Sequence, residues 1–321
     1  MFLRKSNSWI RGRKMSNPKK HILVIGDAII DESIHCKATG LSLETPTLKS
    51  TFEKREISYG GAANVVNNLL HLGCTVTYIF TKGVCEYSGI FNRWKDDNLN
   101  LISFSHLGPS TVKTRFWLGK GIKKYKYLQV NRGEKYSLEQ NTMDQLKDII
   151  TSASPDLVAL VDYKLGMLDN REVVQNLITF CKQKKITIVS SSQISDGNNH
   201  YDYFKGSDMI CMNEEEASKN GFNGKADLSE ELKKMSGRFM SNICVTFGEK
   251  GSAMVCEGGQ YFRHKGYVVD ANDTCGAGDA FLAALCTKYD SKDLNFCNKW
   301  AAASTLTIGT EPPNIEVLNE L

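Results

Sequence analysis

Short apolar segments alternate along the chain with longer amphipathic ones. The first apolar segment, HILVIG, starts at His21 and ends at Gly26-Asp27, which is typical of a buried strand with a polar residue at its carboxyl end. The later segments predict helices at AANVVNNLLHLG, 138–152, 168–184 and 213–240, and strands at CTVTYIF, DLVALV, ITIVS, DMICM and NICVTF. Such alternation predicts a doubly wound α/β fold, in which a mainly parallel sheet carries helices on both faces.

Two segments interrupt this alternation. Residues 33–58 and 111–131 have the composition of extended strands with no helix between them. Because open α/β sheets bind ligands at the carboxyl ends of their strands, we expect the two segments to form a small β lid there. We therefore expect a single domain over residues 21–321 that includes this lid.

Composition excludes several classes of protein. Hydrophobic residues make up 41% of the chain, enough for a substantial core. The ten cysteines include no CxxC pair, which argues against a zinc site or a disulfide framework and favours a reducing cytoplasm. No apolar run approaches the roughly 18 residues that a membrane span needs.

Charge is unevenly distributed. The first twenty residues contain seven lysines and arginines and no acid, so the formal net charge of +4 becomes −3 without them. A basic leader of this kind is compatible with a transit peptide or a nucleic-acid-binding arm, but it lacks a clear apolar face. We interpret residues 1–20 as a disordered leader, with Met15 as an alternative start, and infer no nucleic-acid function.

The main candidate for chemistry is the segment Asp273-Thr274-Cys275-Gly276-Ala277-Gly278-Asp279, which precedes a helical pattern. Glycines let a backbone approach a ligand closely, and the amides at a helix start bind phosphoryl oxygens, so Gly276, Ala277 and Gly278 form a candidate anion hole. Asp279 would then accept a proton from an attacking hydroxyl. The structural alternative is a simple loop with a carboxylate favoured by the helix dipole.

This segment, DTCGAGDAF, resembles the DTxGAGDxF motif of the ribokinase-like (PfkB) carbohydrate kinases. The segments GDAIIDESIHC, SYGGAANVVNNLLHLG, MNEEEA and VTFGEKGS resemble further motifs of that family in the same order, over about residues 21–315. The resemblance implies a ribokinase-like fold and transfer of the γ-phosphate of ATP with Mg²⁺. It also implies nucleotide binding by Thr246, Gly248, Gly251 and Asp273, and a monovalent-cation loop, for which K⁺ is a candidate, near Asp273 and Gly309.

Within that family the sequence is most similar to those of the kinases of D-glycero-D-manno-heptose 7-phosphate. The segments GDAIIDESIHCKATGLSLETPT, KTRFWLGKGIKKYKYLQVNRGE and DYKLGML carry this similarity. It implies phosphorylation of a heptose 7-phosphate at its anomeric hydroxyl, as a step towards a lipopolysaccharide precursor. The β lids of this family often pair, so a homodimer is a further implication.

Several polar residues are candidates for binding the sugar. Asp27 and Asp31 could accept hydrogen bonds from sugar hydroxyls, or they could serve as turn and capping residues. Gly60, Gly61 and Asn64 would allow close approach and add a donor, or they could form an ordinary loop-to-helix junction.

Basic residues of the lid suggest a phosphorylated acceptor. Guanidinium groups match phosphate oxygens in a bidentate way, although a solvated strand face is the alternative for each of them. The basic candidates are Lys113, Arg115 and Arg132, in or next to the lid segment. Gln129 of the lid segment and Asp162 at the end of LVALVD are further candidates for binding the substrate.

Asn213 and Glu216 are candidates for organising magnesium through water. Their spacing is also that of a helix N-cap and its capping-box partner, and both interpretations can hold at once.

Two segments depart from the family pattern. DYKLGML moves its lysine, and VSSSQISDGNNH replaces a stretch near the nucleotide, where Ser192 and Gln193 could substitute as neutral hydrogen-bonding groups. These departures leave open a kinase for another sugar or a nucleoside, and a non-catalytic sugar-binding or regulatory protein. The chain has neither a GxGxxG after its first strand nor a GxxxxGK[ST] motif, which excludes a Rossmann dehydrogenase and a P-loop enzyme.

Overall fold

The structure is a computed structural model that describes residues 19–87, 89–120, 123–194, 199–225, 227–307, 309–319 and 321. Most of the basic leader predicted over residues 1–20 lies outside this part of the chain, as do residues 195–198 of the VSSSQISDGNNH segment. The strands are β1 (His21–Gly26), β2 (Ala28–Leu41), β3 (Leu48–Gly61), β4 (Thr75–Val84), β5 (Leu99–Pro109), β6 (Val112–Lys120), β7 (Lys123–Arg132), β8 (Leu157–Asp162), β9 (Thr187–Ser192), β10 (Met209–Asn213), β11 (Asn242–Thr246), β12 (Ser252–Cys256) and β13 (Gln260–His264). The α-helices are α1 (Ala62–His71), α2 (Gly89–Arg93), α3 (Met143–Ala153), α4 (Arg171–Gln183), α5 (Glu214–Lys219), α6 (Leu228–Phe239), α7 (Ala277–Thr287), α8 (Leu294–Ser304) and α9 (Ile315–Leu318).

The larger sheet has nine strands in the order β13-β12-β11-β10-β9-β8-β1-β4-β5. All pairs from β11 to β5 in this order are parallel, and β12 and β13 add an antiparallel edge. Side chains of β1 alternate between two cores: Ile22 and Val24 face one, and Leu23 and Ile25 face the other. Because a parallel sheet is buried on both faces, its strands are almost continuously apolar. The doubly wound α/β fold predicted from the sequence is confirmed.

The two segments that interrupt the alternation contribute to a second sheet, of four strands, in the order β3-β2-β6-β7. Strands β2 and β6 are parallel, and the two outer pairs are antiparallel. We call this the lid sheet. Strand β2 begins at Ala28 and β3 ends at Gly61, so the first of the two predicted segments is extended at both ends.

The sequence pattern missed some elements and misplaced the start of others. Strands β5, β12 and β13 were not predicted; β12 and β13 have only five residues each and leave little periodicity to detect. The helix predicted from residue 168 begins at Arg171, because the side chain of Asn170 accepts from the N–H groups of Glu172 and Val173 and caps it there. No helix in the described ranges is long and apolar enough to cross a membrane.

Candidate active site

Asp279 lies in the first turn of α7, which begins at Ala277, two residues earlier than the sequence pattern suggested. Gly276 precedes the helix with φ +85°, a left-handed conformation that glycine adopts readily. Only 7% of the surface of Asp279 is exposed to solvent. A buried carboxylate thus lies in the first turn of a helix, where anions are favoured.

Two side chains hold the carboxylate of Asp279. Asn64 donates from Nδ2 to Oδ2 at 2.8 Å, and the hydroxyl of Tyr163 donates to Oδ1. Burial raises the pKa of Asp279 to about 6, while these two hydrogen bonds oppose the shift by stabilising the ionised form. The group is therefore largely ionised at neutral pH but remains a better base than an exposed aspartate.

Gly276 is required by its contact with Asn64. A β-carbon at Gly276 would lie 2.7 Å from Nδ2 of Asn64, a distance that real β-carbons do not show. A β-carbon at Gly278, by contrast, would meet no atom within 4 Å. The glycine-rich loop therefore packs tightly against Asn64 at Gly276 and has free space beside Gly278.

A cavity of about 220 Å³ lies next to Asp279 at the carboxyl ends of the large sheet. Seven predicted site residues line it: Asp162, Asn213, Glu216, Thr246, Gly276, Gly278 and Asp279. The sequence reasoning did not place Val161, Ser191, Cys211, Met212 or Leu282 there, because strand-end and helix residues of this kind carry no motif of their own. Gln193, noted as a neutral hydrogen-bonding group, also lines the cavity.

Asn213 and Glu216 form the capping box that their spacing predicts. Oδ1 of Asn213 accepts from the N–H of Glu216, and Oε2 of Glu216 accepts from the N–H of Asn213, both at 2.8 Å. Tyr201 donates to the same Oε2 at 2.9 Å, and burial raises the pKa of Glu216. Among the described residues no hydrogen bond to Oε1 is formed, which leaves one carboxylate oxygen of this cavity-lining residue available.

Asp162 is the buried end of β8. Its Oδ1 accepts from the backbone N–H of Lys164 at 2.9 Å, and its Oδ2 accepts from the hydroxyl of Ser192 at 2.7 Å. Nζ of Lys164 lies 2.8 Å from Oδ2, and desolvation lowers the pKa of this buried lysine. The carboxylate therefore joins the ends of β8 and β9 as well as lining the cavity.

The backbone that follows β8 donates three hydrogen bonds to the carboxylate of Asp27. This carboxylate accepts hydrogen bonds from the N–H groups of Tyr163 at 2.8 Å, Leu165 at 3.3 Å and Met167 at 3.0 Å. Burial, together with the charge of Asp162, raises its pKa to about 7. Asp27 thus anchors the loop that carries Tyr163, and the sugar contact predicted for it stays a prediction.

Asp31 lies on the lid sheet and pairs with Arg115, whose Nη1 is 2.5 Å from Oδ1. The hydroxyl of Thr310, which the sequence did not single out, lies 3.3 Å from Oδ2. A side chain at Gly60 would overlap this carboxylate, and Gly61 has φ +61°. The two glycines therefore let the end of β3 pass close to Asp27 and to the start of β2.

Lys113 shares the face of the lid sheet that carries Asp31 and Arg115, as the strand register requires. Its Nζ lies 5.4 Å from the ring centroid of Tyr163, and burial lowers its pKa. Gln129 is opposite Arg115 in the register but is exposed and donates to Asn131 at 3.0 Å.

Arg132 is separated from this group. It is opposite Val112, on the face of Glu32 and Thr114, and its Nη2 pairs with Glu86 at 2.5 Å. The phosphate contact predicted for Arg132 would have to come from the other face of the lid sheet.

Asp273 and two glycines of the predicted nucleotide loop shape the surrounding backbone. Asp273 accepts from the N–H of Cys275 at 3.0 Å and from that of Gly309 at 3.1 Å, and so joins the two loops that the sequence associates with a monovalent cation. Gly248 has φ +59° and Gly251 has φ +94°, where a side chain would collide with the carbonyl of His264. Both glycines have a conformational reason to be present.

A glycine-rich helix start beside a buried, hydrogen-bonded carboxylate suits phosphoryl transfer to a hydroxyl, the chemistry of a small-molecule kinase. A family model described as pfkB family carbohydrate kinase matches residues 19–315, and the chain belongs to this family. It is therefore a carbohydrate kinase, a phosphotransferase with an alcohol group as acceptor.

Curated relatives of the chain share one name. Bifunctional protein HldE of a Nitratiruptor species is 30% identical over 280 residues, which cover 83% of this chain and 56% of the relative. The Bifunctional protein HldE of Helicobacter pylori (strain J99) is 28% identical over 315 residues, or 94% of this chain and 65% of the relative. The chain thus spans little more than half the length of the first of these relatives.

Solved structures confirm the fold. Phosphofructokinase-2 from Escherichia coli in complex with potassium has a TM-score of 0.73 at 16% identity, over 94% of this chain and 97% of the other. Ribokinase from Thermotoga maritima has a TM-score of 0.66 at 17% identity, over 94% of this chain and 99% of the ribokinase chain. The ribokinase-like fold is confirmed.

Proposed function

We propose that the chain transfers the γ-phosphoryl group of ATP to a hydroxyl of a phosphorylated sugar, with Asp279 as general base. The position of Asp279 carries this proposal. It lines the cavity at the ends of the large sheet, and it is near enough to Lys113 and Asp31 of the lid sheet for both to act on its pKa. A donor bound in the cavity and an acceptor bound under the lid sheet would meet at this carboxylate.

The chain's own residues support the proton step. As the acceptor oxygen forms its bond to phosphorus, its proton passes to the carboxylate of Asp279 and ADP leaves. The N–H groups from Gly276 to Asp279 would stabilise the charge that develops on the phosphoryl oxygens. Of these, the N–H of Ala277 also donates to the carbonyl of Thr274 at 3.3 Å. With a pKa of about 6, Asp279 is ionised at neutral pH and able to accept the proton.

Asn213 and Glu216 are the proposed magnesium residues. Both line the cavity, and Oε1 of Glu216 is free of protein hydrogen bonds among the described residues, which suits a cation that keeps most of its water. Mg²⁺ bound with ATP would neutralise charge on the phosphates.

The proposed acceptor is D-glycero-D-manno-heptose 7-phosphate, phosphorylated at its anomeric hydroxyl. Two observations support it: the sequence similarity to heptose 7-phosphate kinases, and the cations Lys113 and Arg115 on the face of the lid sheet nearest Asp279. A sugar phosphate needs such cations, whereas a neutral sugar does not. Relatives named Bifunctional protein HldE are in keeping with this acceptor.

A screen for ADP formation tests the proposed reaction. The purified chain would be incubated with MgATP and a panel that contains heptose 7-phosphate, free heptose, fructose 6-phosphate, ribose and a nucleoside, with Asp279→Asn as the blank. We expect the highest kcat/KM with heptose 7-phosphate and at least about tenfold less with free heptose, because charge-assisted contacts to phosphate are lost. Preference for an unphosphorylated sugar or a nucleoside would replace the proposed acceptor, and no turnover of any member would contradict the catalytic proposal.

A monovalent cation near Asp273 and Gly309 is a further part of the proposal. Their loops are joined by a hydrogen bond, and the phosphofructokinase-2 structure to which this fold is similar is a complex with potassium. The rate should rise when tetramethylammonium chloride is replaced by potassium chloride at equal ionic strength. Equal rates in both salts would remove this cation from the proposal.

We also propose a homodimer through the lid sheet. Strand β7 exposes Leu128 and Val130 at 46% and 44%, and β3 exposes Phe52 at 59%, and exposed apolar side chains on one sheet favour an interface. Sedimentation should give twice the chain mass, and Leu128→Lys with Val130→Lys should give a monomer. A parent chain that sediments as a monomer at micromolar concentration would exclude this dimer.

A further inference from the structure

A buried chain of hydrogen bonds connects the core helix α8 to Asp279. The indole Nε1 of Trp300 on α8 donates to Oδ1 of Asn68 at 2.9 Å, and Nδ2 of Asn68 donates to Oδ1 of Asn64 at 3.2 Å. Nδ2 of Asn64 then donates to Oδ2 of Asp279 at 2.8 Å. Trp300, Asn68 and Asn64 are each 1% exposed, so solvent does not compete for these groups.

Two groups of fixed polarity set the direction of this hydrogen-bond chain: the indole N–H of Trp300 and the backbone carbonyl of Asn64. An indole N–H is a donor only, so Asn68 must turn its oxygen towards Trp300. The NH₂ group of Asn68 is then left for Asn64, where it donates to Oδ1 and to the backbone carbonyl at 2.9 Å. With its oxygen engaged, Asn64 can present only its NH₂ group to Asp279.

Packing places the members of the chain in line. Asn64 and Asn68 are four residues apart on α1 and therefore share one face of that helix. Helix α1 packs against α7, which packs against α8, so the chain runs from α8 through α1 to α7. The close approach of Gly276 to Nδ2 of Asn64 also restricts movement of this amide.

We infer that Trp300 and Asn68 are positioning residues for Asp279, which keep the amide of Asn64 in the orientation that donates to the carboxylate. This inference rests on the proposed function of Asp279 as the base. Without the NH₂ group of Asn68, the amide of Asn64 could turn over and present its oxygen to Asp279. That orientation repels a carboxylate and accepts a hydrogen bond from a carboxylic acid, so it would favour the protonated, inactive form. Loss of the indole donor weakens the hold on Asn68, which the backbone carbonyl of Asn64 still orients.

The other groups that affect the pKa of Asp279 do not belong to this chain of hydrogen bonds. Tyr163, Asp31, Lys113 and Cys275 face it from the loop after β8, from the lid sheet and from the glycine-rich loop. None of them forms a described hydrogen bond with Trp300 or Asn68. Changes at these two positions should therefore move the pKa of Asp279 through Asn64 alone.

The test is the titration of Asp279 in three variants. Trp300→Phe removes the indole donor, and Asn68→Leu removes the middle amide at similar volume. Phe204→Leu is the matched control for a weakened core, because Phe204 is 0% exposed in the core on the other face of the large sheet. The midpoint of Asp279 would be read from its ¹³C carboxyl resonance, assigned by its loss in Asp279→Asn, and from the acid limb of kcat/KM.

We expect Asn68→Leu to raise the midpoint by about 0.5–1 pH unit, because the hydrogen bond from Asn64 to the ionised form is lost when its amide turns over. Trp300→Phe should raise the midpoint by less, because the backbone carbonyl of Asn64 still orients Asn68. In both variants the rate above pH 8 should stay within several-fold of the parent. Phe204→Leu should lower the melting temperature and leave the midpoint in place. An unchanged carbon midpoint in Asn68→Leu would overturn the positioning role, and an unchanged midpoint in Trp300→Phe alone would remove Trp300 from it. A shifted carbon midpoint in a chain whose Asp279→Asn variant is fully active would instead contradict the proposed base and leave the hydrogen-bond chain intact.

Discussion

The hydroxyl of Tyr163 donates to Oδ1 of Asp279, while the backbone N–H of Tyr163 donates to Asp27 at 2.8 Å. Asp27 thus fixes the loop, and the loop fixes the phenol against the proposed base. Oδ1 is also the carboxylate oxygen that Asn64 does not contact. Because Nζ of Lys113 lies 5.4 Å from the ring centroid of Tyr163, the tyrosine connects the lid sheet to the proposed base.

Tyr163→Phe should move the acid limb of kcat/KM to higher pH. Burial sets the pKa of Asp279 at about 6 against the opposing hydrogen bond from Tyr163. A hydrogen bond to the ionised form lowers a pKa, so its loss raises the value, and the base is then protonated over a wider pH range. Because kcat/KM reports the free enzyme, its profile from pH 5 to 9 measures this shift.

Tyr87→Phe is the matched control for that change. The hydroxyl of Tyr87 also donates to a buried carboxylate, that of Glu32, at 2.7 Å, but on the opposite face of the lid sheet. Its acid limb should match that of the parent. Equal profiles for parent and Tyr163→Phe would mean that the phenol does not affect the ionisation of Asp279.

Arg115→Ala should raise the KM for the phosphorylated acceptor far more than the KM for ATP. A charge-assisted contact of about 1.5–3 kcal/mol corresponds to roughly ten- to hundredfold in KM. The variant should also melt at a lower temperature, because the buried Asp31 loses its partner at 2.5 Å. Both KM values would therefore be measured well below the melting temperature, and equal changes in the two would remove Arg115 from the acceptor site.

Arg132→Ala separates the two arginines that the sequence could not distinguish. Arg132 is half-exposed and paired with Glu86, and a surface ion pair contributes only about 0–1 kcal/mol. We expect the KM for the acceptor to stay within about twofold of the parent. A rise comparable to that of Arg115→Ala would show that the acceptor reaches the opposite face of the lid sheet.

Glu216→Gln should require more Mg²⁺ for half-maximal rate, because a carboxylate is a better ligand than an amide for this cation. Glutamine still fits the third position of a capping box, so the helix start at Asn213 should survive. A titration of rate against Mg²⁺ at saturating ATP, with the melting temperature measured alongside, checks both statements. Parental Mg²⁺ dependence would leave Glu216 with the capping role alone.

The sequence predicts the site residues at the strand ends well, because a polar residue directly after a buried apolar strand lies at the carboxyl edge of the sheet. Asp162, Asn213 and Thr246 all line one cavity for this reason. The sequence could not distinguish the surroundings of Asp27 from those of Asp31, since only the path of the loop after β8 shows that three of its N–H groups donate to the carboxylate of Asp27.

Strand register decides a second distinction. Lys113, Arg115 and Arg132 appear equivalent in the sequence, but a strand alternates its side chains, and the β6–β7 register sends Arg132 to the opposite face. The hydrogen-bond chain from Trp300 to Asp279 could not be predicted from the sequence for another reason. Trp300 is 232 residues from Asn68, and Asp279 is 215 residues from Asn64. Motifs show local spacing, whereas such contacts depend on how the helices pack.

Asp279→Asn is the most direct test of the proposed mechanism. Asparagine keeps the size of the side chain but cannot accept the proton, and a positioned base commonly contributes about 10² to 10⁴ in rate. We therefore expect kcat to fall by at least about two orders of magnitude. Binding of ATP should be nearly unchanged, because the N–H groups of Gly276, Ala277 and Gly278 remain in place. If Asp279 served only the helix start, the same change would cost about 0.3–1 kcal/mol of unfolding free energy and little activity. Calorimetry, ATP titration and turnover of the same preparation separate these cases, and turnover within a few-fold of the parent would rule out Asp279 as the base.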